Sequence, residues 1–110
     1  MRVQIETGVI RFRVDESELV RLLSGEAIAD VTRLPNGRAL RRVVRLHAGP
    51  PRFAVDWLEW SLSLPIGQIV DHARELPSRD GIRFEIHGER CALAIRFDVD
   101  VRDSVRMRRG

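Results

Sequence analysis

One order of elements is written twice along this chain, and that duplication limits its folds more than any other feature. In the first half, Val3 and Ile5 alternate with Gln4 and Glu6, and Ile10, Phe12 and Val14 alternate with Arg11 and Arg13. A period of two sends successive side chains to opposite faces, so these are two half-buried strands with a tight connection at Gly8. Asp15 then precedes Glu18 by three residues, the spacing at which a cap side chain and a third-position carboxylate satisfy each other's neighbouring amides. A short helix is predicted there, with Leu19, Leu22 and Leu23 on one face and Gly25 as a left-handed terminator. The stretches "AIADVTRL" and "RALRRVVRL" supply two more strands. Between them Asn36-Gly37 suits the positive φ angles of a hairpin turn.

"HAGPP", residues 47–51, is the one connector rich in breakers, and the order repeats after it. "RFAVDWLEW" and "SLSL" read as extended segments, and Pro65 falls in the first turn of a second helix, where its missing amide hydrogen costs nothing. Ile66, Ile69, Val70, Ala73 and Leu76 form a helical stripe that ends at Pro77. "GIRFEIHG" and "RCALAIRFDVDV" close the half as a hairpin, with Ile82, Phe84 and Ile86 facing Cys91, Leu93, Ile95, Phe97 and Val99 as buried rows.

Each half is thus strand, strand, helix, strand, strand. The predicted class is α+β and mostly β: a single domain over residues 1–110, with duplicated ββαββ units at about 2–46 and 52–101. Closure removes exposed edges, so the units are expected to form a small barrel or a strongly bent double sheet with two short helices, a sandwich being the main rival. With 44% hydrophobic residues in 110, one domain can bury its own core. Residues 102–110 read as a flexible basic tail.

Several chemistries find no support in the spacing. There is no apolar run of the roughly 20 residues that cross a bilayer, and "MRVQIETG" lacks the apolar core of a signal peptide, so the expectation is a cytoplasmic protein without membrane contact. Cys91 is the only cysteine and reads as a small core residue. His47, His72 and His87 fall on different elements, and the adjacent Asp71 and His72 point about 100° apart on a helix, which assigns them to its solvated surface. Ser61 and Ser63 lie in an ordinary alternating run, Ser24 and Ser78 at helix ends, and the glycines stand singly at turns. Asp98, Asp100 and Asp103, with Glu85, read as a solvent face balanced by Arg96 and Arg102 rather than as a metal site. The chain is therefore expected to be no enzyme, to use no cofactor and to hold no metal.

Charge is more informative. All 19 cationic residues are arginine, and residues 1–101 carry 15 of them against 15 acids, so the net charge of +3 belongs to the tail. Within the body no acid occurs between Asp30 and Asp56, while Arg33, Arg38, Arg41, Arg42, Arg45 and Arg52 all fall there. Arg41 and Arg45 share a strand face with Val43, with Arg38 at the turn, so Arg38, Arg41, Arg42 and Arg45 form the candidate site for nucleic acid or another anion. The competing reading pairs them with the acids of residues 56–100, in the same chain or on that surface of another copy. Trp57 and Trp60, three apart in a strand-like run, are expected on opposite faces. Phe53, Val55 and Trp57 would then form an outer apolar stripe, the candidate interface of a homodimer or of another protein partner.

Two resemblances extend this reading. "LSLPIGQIVDHARELPSRDGIRFEIHGERCALAI" resembles the unit of the AbrB-type swapped-hairpin transcription regulators, in which a strand ends in proline, a helix follows, and a hairpin closes the unit. In those proteins units from two chains interlock, and here both units lie in one chain; the resemblance implies DNA binding. "IRFRVDESELVRLLSGEAIADV", with the later "LSLP", is similar to a family of small bacterial proteins known only as a domain of unknown function, which implies a fold and no activity. The function expected is a self-associating, non-catalytic interaction module, with an AbrB-like transcriptional regulator as the alternative.

Overall fold

The computed structural model describes residues 1–77 and 80–101. Ten elements follow in the order β1 (Arg2–Glu6), β2 (Val9–Asp15), α1 (Glu16–Leu23), β3 (Ile28–Arg33), β4 (Ala39–His47), β5 (Arg52–Val55), β6 (Glu59–Pro65), α2 (Ile66–Arg74), β7 (Ile82–His87) and β8 (Ala92–Asp100). This is ββαββ twice. The basic tail, residues 102–110, lies outside the described residues, as do Ser78 and Asp103.

Each half gives one hairpin to each of two four-stranded sheets. Sheet I has the order β1-β2-β8-β7 and sheet II the order β3-β4-β6-β5. The two halves join through parallel ladders, β2 with β8 and β4 with β6, and every other pairing is antiparallel. The first hairpin of each half therefore pairs with the second hairpin of the other, and each helix carries the chain from one sheet to the other. Equivalent positions follow from the register: Phe12 opposite Phe97 matches Leu62 opposite Val44, and Asp15 opposite Asp100 matches Pro65 opposite His47.

Of the two predicted arrangements the bent double sheet is present and the closed barrel is not, since the ladders stop at the edge strands β1, β7, β3 and β5. The core lies between the sheets. Phe12, Val14, Phe84, Ile95 and Phe97 from sheet I meet Ile28, Val44, Leu62 and Leu64 from sheet II, with Leu19, Leu22 and Ile69 from the helices. Each such side chain contributes roughly 1.5–3 kcal/mol by leaving water.

The local predictions hold where the signal was local. Asp15 Oδ1 accepts from the Glu18 amide at 2.7 Å, and Glu18 Oε1 accepts from the Asp15 amide at 3.0 Å. The Glu18 amide, and next the Ser17 hydroxyl, hold the Asp15 carboxyl below the usual carboxylate range. Gly8 and Gly25 take positive φ. In the β3–β4 turn only Gly37 does so, at 86°; Asn36 acts instead through its side chain, which accepts the Arg38 amide at 2.9 Å. Pro65 is the cap of α2, one residue earlier than predicted, and provides no side-chain hydrogen bond.

Four burial expectations are corrected. Cys91 is exposed, because the β7–β8 ladder ends at His87 opposite Ala92 and leaves it in the turn. His72 is 7% exposed, not on a solvated helix surface, while Ile66 from the predicted stripe is 41% exposed. The helix seats Ile69 and His72 where α1 seats Leu19 and Leu22, and that register overrides a stripe chosen by hydropathy. Asp98 is also buried, with Arg11 Nη2 at 3.2 Å from its Oδ2.

Candidate nucleic-acid interface

β4 and β6 are the central strands of sheet II, and alternation along them separates two faces. Val44, Leu62 and Leu64 enter the core. Arg41, Val43, Arg45, Ser61 and Ser63 therefore stand on the outer face. The ladders arrange that face in rows. Arg45 lies opposite Ser63, and Ser63 opposite Arg52. The next row is Ala29, Val43, Ser61 and Ala54, and beyond it come Val31, Arg41 and Glu59. Arg33, opposite Ala39, completes the basic set. The result is a floor of small side chains with guanidinium groups on both sides.

The middle of the floor is closely covered for a surface, between the exposed Ala29 and Ala54. Val43 is 2% exposed yet is not part of the core cluster between the sheets.

Four arginines face one carboxylate here. Arg41 Nη1 lies 3.8 Å from Glu59 Oε1, with both side chains about half exposed, a contact of little worth in water. Arg33, Arg45 and Arg52 have no ion pair among the described residues. Arg45 and Arg52 are two strand spacings apart, about 10 Å between backbones. At that distance their repulsion in water is only a few tenths of a kcal/mol. The row is thus inexpensive to keep open, and its donors remain available.

The sequence-predicted site is divided by this geometry. Arg41 and Arg45 share the face as expected, and Arg38 is exposed in the turn that leads into β4. Arg42 points the other way. Its Nη2 donates to Asp30 Oδ2 at 2.7 Å and to Thr32 Oγ1 at 3.2 Å, so it serves its own hairpin and leaves the row. Arg52 belongs to the basic segment read from the sequence, but its place beside Arg45, and that of Ser63 between them, depends on a register between distant segments that the sequence does not specify. Within the chain, the pairing with the acids of residues 56–100 is limited, among the described residues, to the loose Arg41–Glu59 contact.

The apolar stripe is also redrawn. β5 ends at Val55 and β6 begins at Glu59, so Trp57 sits in the connection, not in a strand with Trp60. The turn is built by Asp56, whose Oδ1 accepts from the amides of Leu58 at 3.1 Å and Glu59 at 3.0 Å. Phe53 turns inward and meets Phe12 and Trp60 edge-on, with centroids 6.3 and 6.2 Å away. Val55 at 57% and Trp57 at 91% exposure are what the tip presents.

Sheet I carries the corresponding row in another form: Arg2 opposite Arg13, and Arg13 opposite Asp98. Arg2, Gln4, Arg11, Arg13 and Asp98 line a recess of about 60 Å³ there, room for an ion or a few waters. No group of three or more His, Cys, Asp or Glu side chains suited to a metal occurs among the described residues, and none of their helices is long and apolar enough to cross a membrane. The chain matches no protein-family model, no curated protein and no solved structure.

Proposed function

We propose that this protein is a binding module, not an enzyme, and that it holds the phosphate backbone of a nucleic acid against the outer face of sheet II. The observation that carries the reading is the row Arg45–Ser63–Arg52, in which two unpaired guanidinium groups flank a hydroxyl with no acid in the row. Guanidinium forks match phosphate oxygens in pairs, and a serine hydroxyl adds a donor between them. Arg41 and Arg33 extend the track along the sheet. No nucleophile and base are brought together on this face, so its chemistry is binding by charge and hydrogen bonds.

Binding of this kind is salt-dependent, because phosphates neutralised by arginine release their counterions. The test is a titration of oligonucleotide against the full chain over a series of salt concentrations, with Arg45→Glu/Arg52→Glu beside the natural protein. The double variant is expected to lose roughly 100-fold in affinity at low salt, and its slope of log affinity against log salt is expected to fall by about 1.4, the value for two phosphate contacts on a single strand. Arg2→Glu/Arg13→Glu on sheet I should leave both quantities nearly unchanged. Equal losses from the two pairs would reduce the effect to net charge and remove sheet II as the site.

The exposed Val55 and Trp57 favour a second reading, self-association through the β5–β6 tip. Light scattering on the full chain decides it: a dimer that Trp57→Asp converts to monomer supports it, and a monomer at every concentration rejects it.

A further inference from the structure

We infer that the nucleic acid is single-stranded and that Trp57 stacks on one of its bases. This rests on the reading of sheet II as a phosphate-binding face. Its first support is a matter of width. Four strands spaced 4.7–4.9 Å apart measure roughly 14 Å between the outer backbones, before side chains are added. The major groove of a duplex is about 12 Å wide and admits one helix or a two-stranded ribbon. Sheet II therefore lies across a duplex instead of inside it, and touches no base. A strand whose bases are splayed out has no such limit, and recognition of single strands relies on aromatic platforms beside a basic track.

Trp57 is placed to be that platform. At 91% exposure it is the most exposed of the large apolar side chains among the described residues, and its indole contrasts with Trp60, which is held against Phe53. The tip that carries it is firmly built. Besides the Asp56 side-chain bonds, the Asp56 amide donates to the Glu59 carbonyl at 3.0 Å, and the Arg41 amide donates to the Leu58 carbonyl at 2.6 Å, which ties the tip to β4. From the Ser63 row to the Glu59 row is four residues of β6, roughly 13 Å. A few nucleotides therefore span the face from the Arg45–Ser63–Arg52 row past Arg41 to the end of β6 where the Trp57 turn begins. Asp56 and Glu59, on either side of the tip, repel phosphate. They keep the backbone over the arginines, leave the indole to a base, and oppose entry of the tip between the two phosphate rims of a duplex groove.

The test uses the full chain and one labelled 12-nucleotide sequence in three forms, single-stranded DNA, single-stranded RNA and duplex DNA, followed by fluorescence anisotropy and by tryptophan emission. A single strand is expected to bind more tightly than the duplex and to quench emission. Trp57→Ala is expected to weaken single-strand binding by about 5- to 150-fold, the range for loss of one stacked base, and to leave duplex binding unchanged. Trp57→Phe should keep part of the affinity. A side chain this exposed is removed without disturbing the core, and the duplex arm confirms that the arginine face is intact. The inference is overturned if the duplex binds as tightly as the single strands, or if Trp57→Ala affects all three forms alike or none; in those cases the phosphate-binding reading still stands. Failure of all three forms to bind overturns that reading and this inference together.

Discussion

The two halves of this protein fold alike and differ in what they place at equivalent positions. On sheet I the outer row is Arg2, Arg13, Asp98; on sheet II it is Arg52, Ser63, Arg45. The first contains its own counterion. Asp98 is buried, Arg11 is held on it, and a Cβ at Gly81, where φ is +68°, would collide with its Oδ1. The second has no acid, and its arginines are left to solvent or to a partner. A duplicated framework thus supports one face with a buried carboxylate set among its arginines and one whose row has none. Fold and surface chemistry are separable here: the inner side chains that pack the core are apolar and interchangeable in kind, while the outer rows differ in charge.

That comparison is sharpened most by making sheet II resemble sheet I. Ser63→Asp places a carboxylate between Arg45 and Arg52, as Asp98 stands beside Arg13. An exposed ion pair adds little stability, so folding should change by less than about 1 kcal/mol. Binding should suffer far more, because the new carboxylate occupies the guanidinium donors and repels phosphate. A loss of roughly 10- to 100-fold in oligonucleotide affinity is expected, with the thermal midpoint nearly constant. Unchanged affinity would show that the row is not where phosphate binds.

How much of this was legible in the sequence depends on the distance between interacting residues. The Asp15–Glu18 capping box, the turns at Gly8 and Gly25 and both helices involve neighbours a few positions apart, and alternation alone identified the inward residues of β2 and β8. The Arg45–Ser63–Arg52 row depends on a parallel ladder between strands of different halves, which no local pattern specifies. The β5–β6 turn was hidden for a different reason. It contains no glycine or proline, and Asp56 makes it by hydrogen-bonding its side chain to the amides that follow. An aspartate at a turn start is a known device, and "DWLE" held that signal within a run that reads as strand. His72 defeats local reading because a polar residue ordinarily marks the exposed side of a helix, and here it is buried.

His72 provides the next test of the comparison, since α1 places Leu22 at its position. The imidazole is buried and its Nε2 has no hydrogen-bond partner, a condition that costs about 1–3 kcal/mol. His72→Leu restores the residue type of the other half at similar volume. It should raise stability by about 1–2 kcal/mol in urea denaturation, with the slope unchanged. A fall in stability would mean that the imidazole makes a contact the leucine cannot replace, and that the second half departs from the first for a reason.

The smallest effect concerns the helix starts, Asp15 in one half and Pro65 in the other. Asp15 caps α1 and α2 has no side-chain cap, so acid should loosen the two helices unequally. The Asp15 carboxyl is held below its unfolded value, chiefly by the Glu18 amide. Its ionised form is therefore the one the folded state favours. The stabilisation is fully present above the unfolded value, about 3.9, and is lost as pH falls through the lower folded value. Asp15→Ala should remove about 1 kcal/mol at neutral pH, reduced by the exposure of the site, and should abolish this part of the acid dependence. Amide exchange in the first turn of α1 reads it directly: protection at Glu18 should decline through that acid range in the natural protein and be low at every pH in Asp15→Ala. The first turn of α2, capped by a proline with nothing to titrate, should show no corresponding step. A parallel decline in both helices would assign the acid response to the shared core and not to the cap.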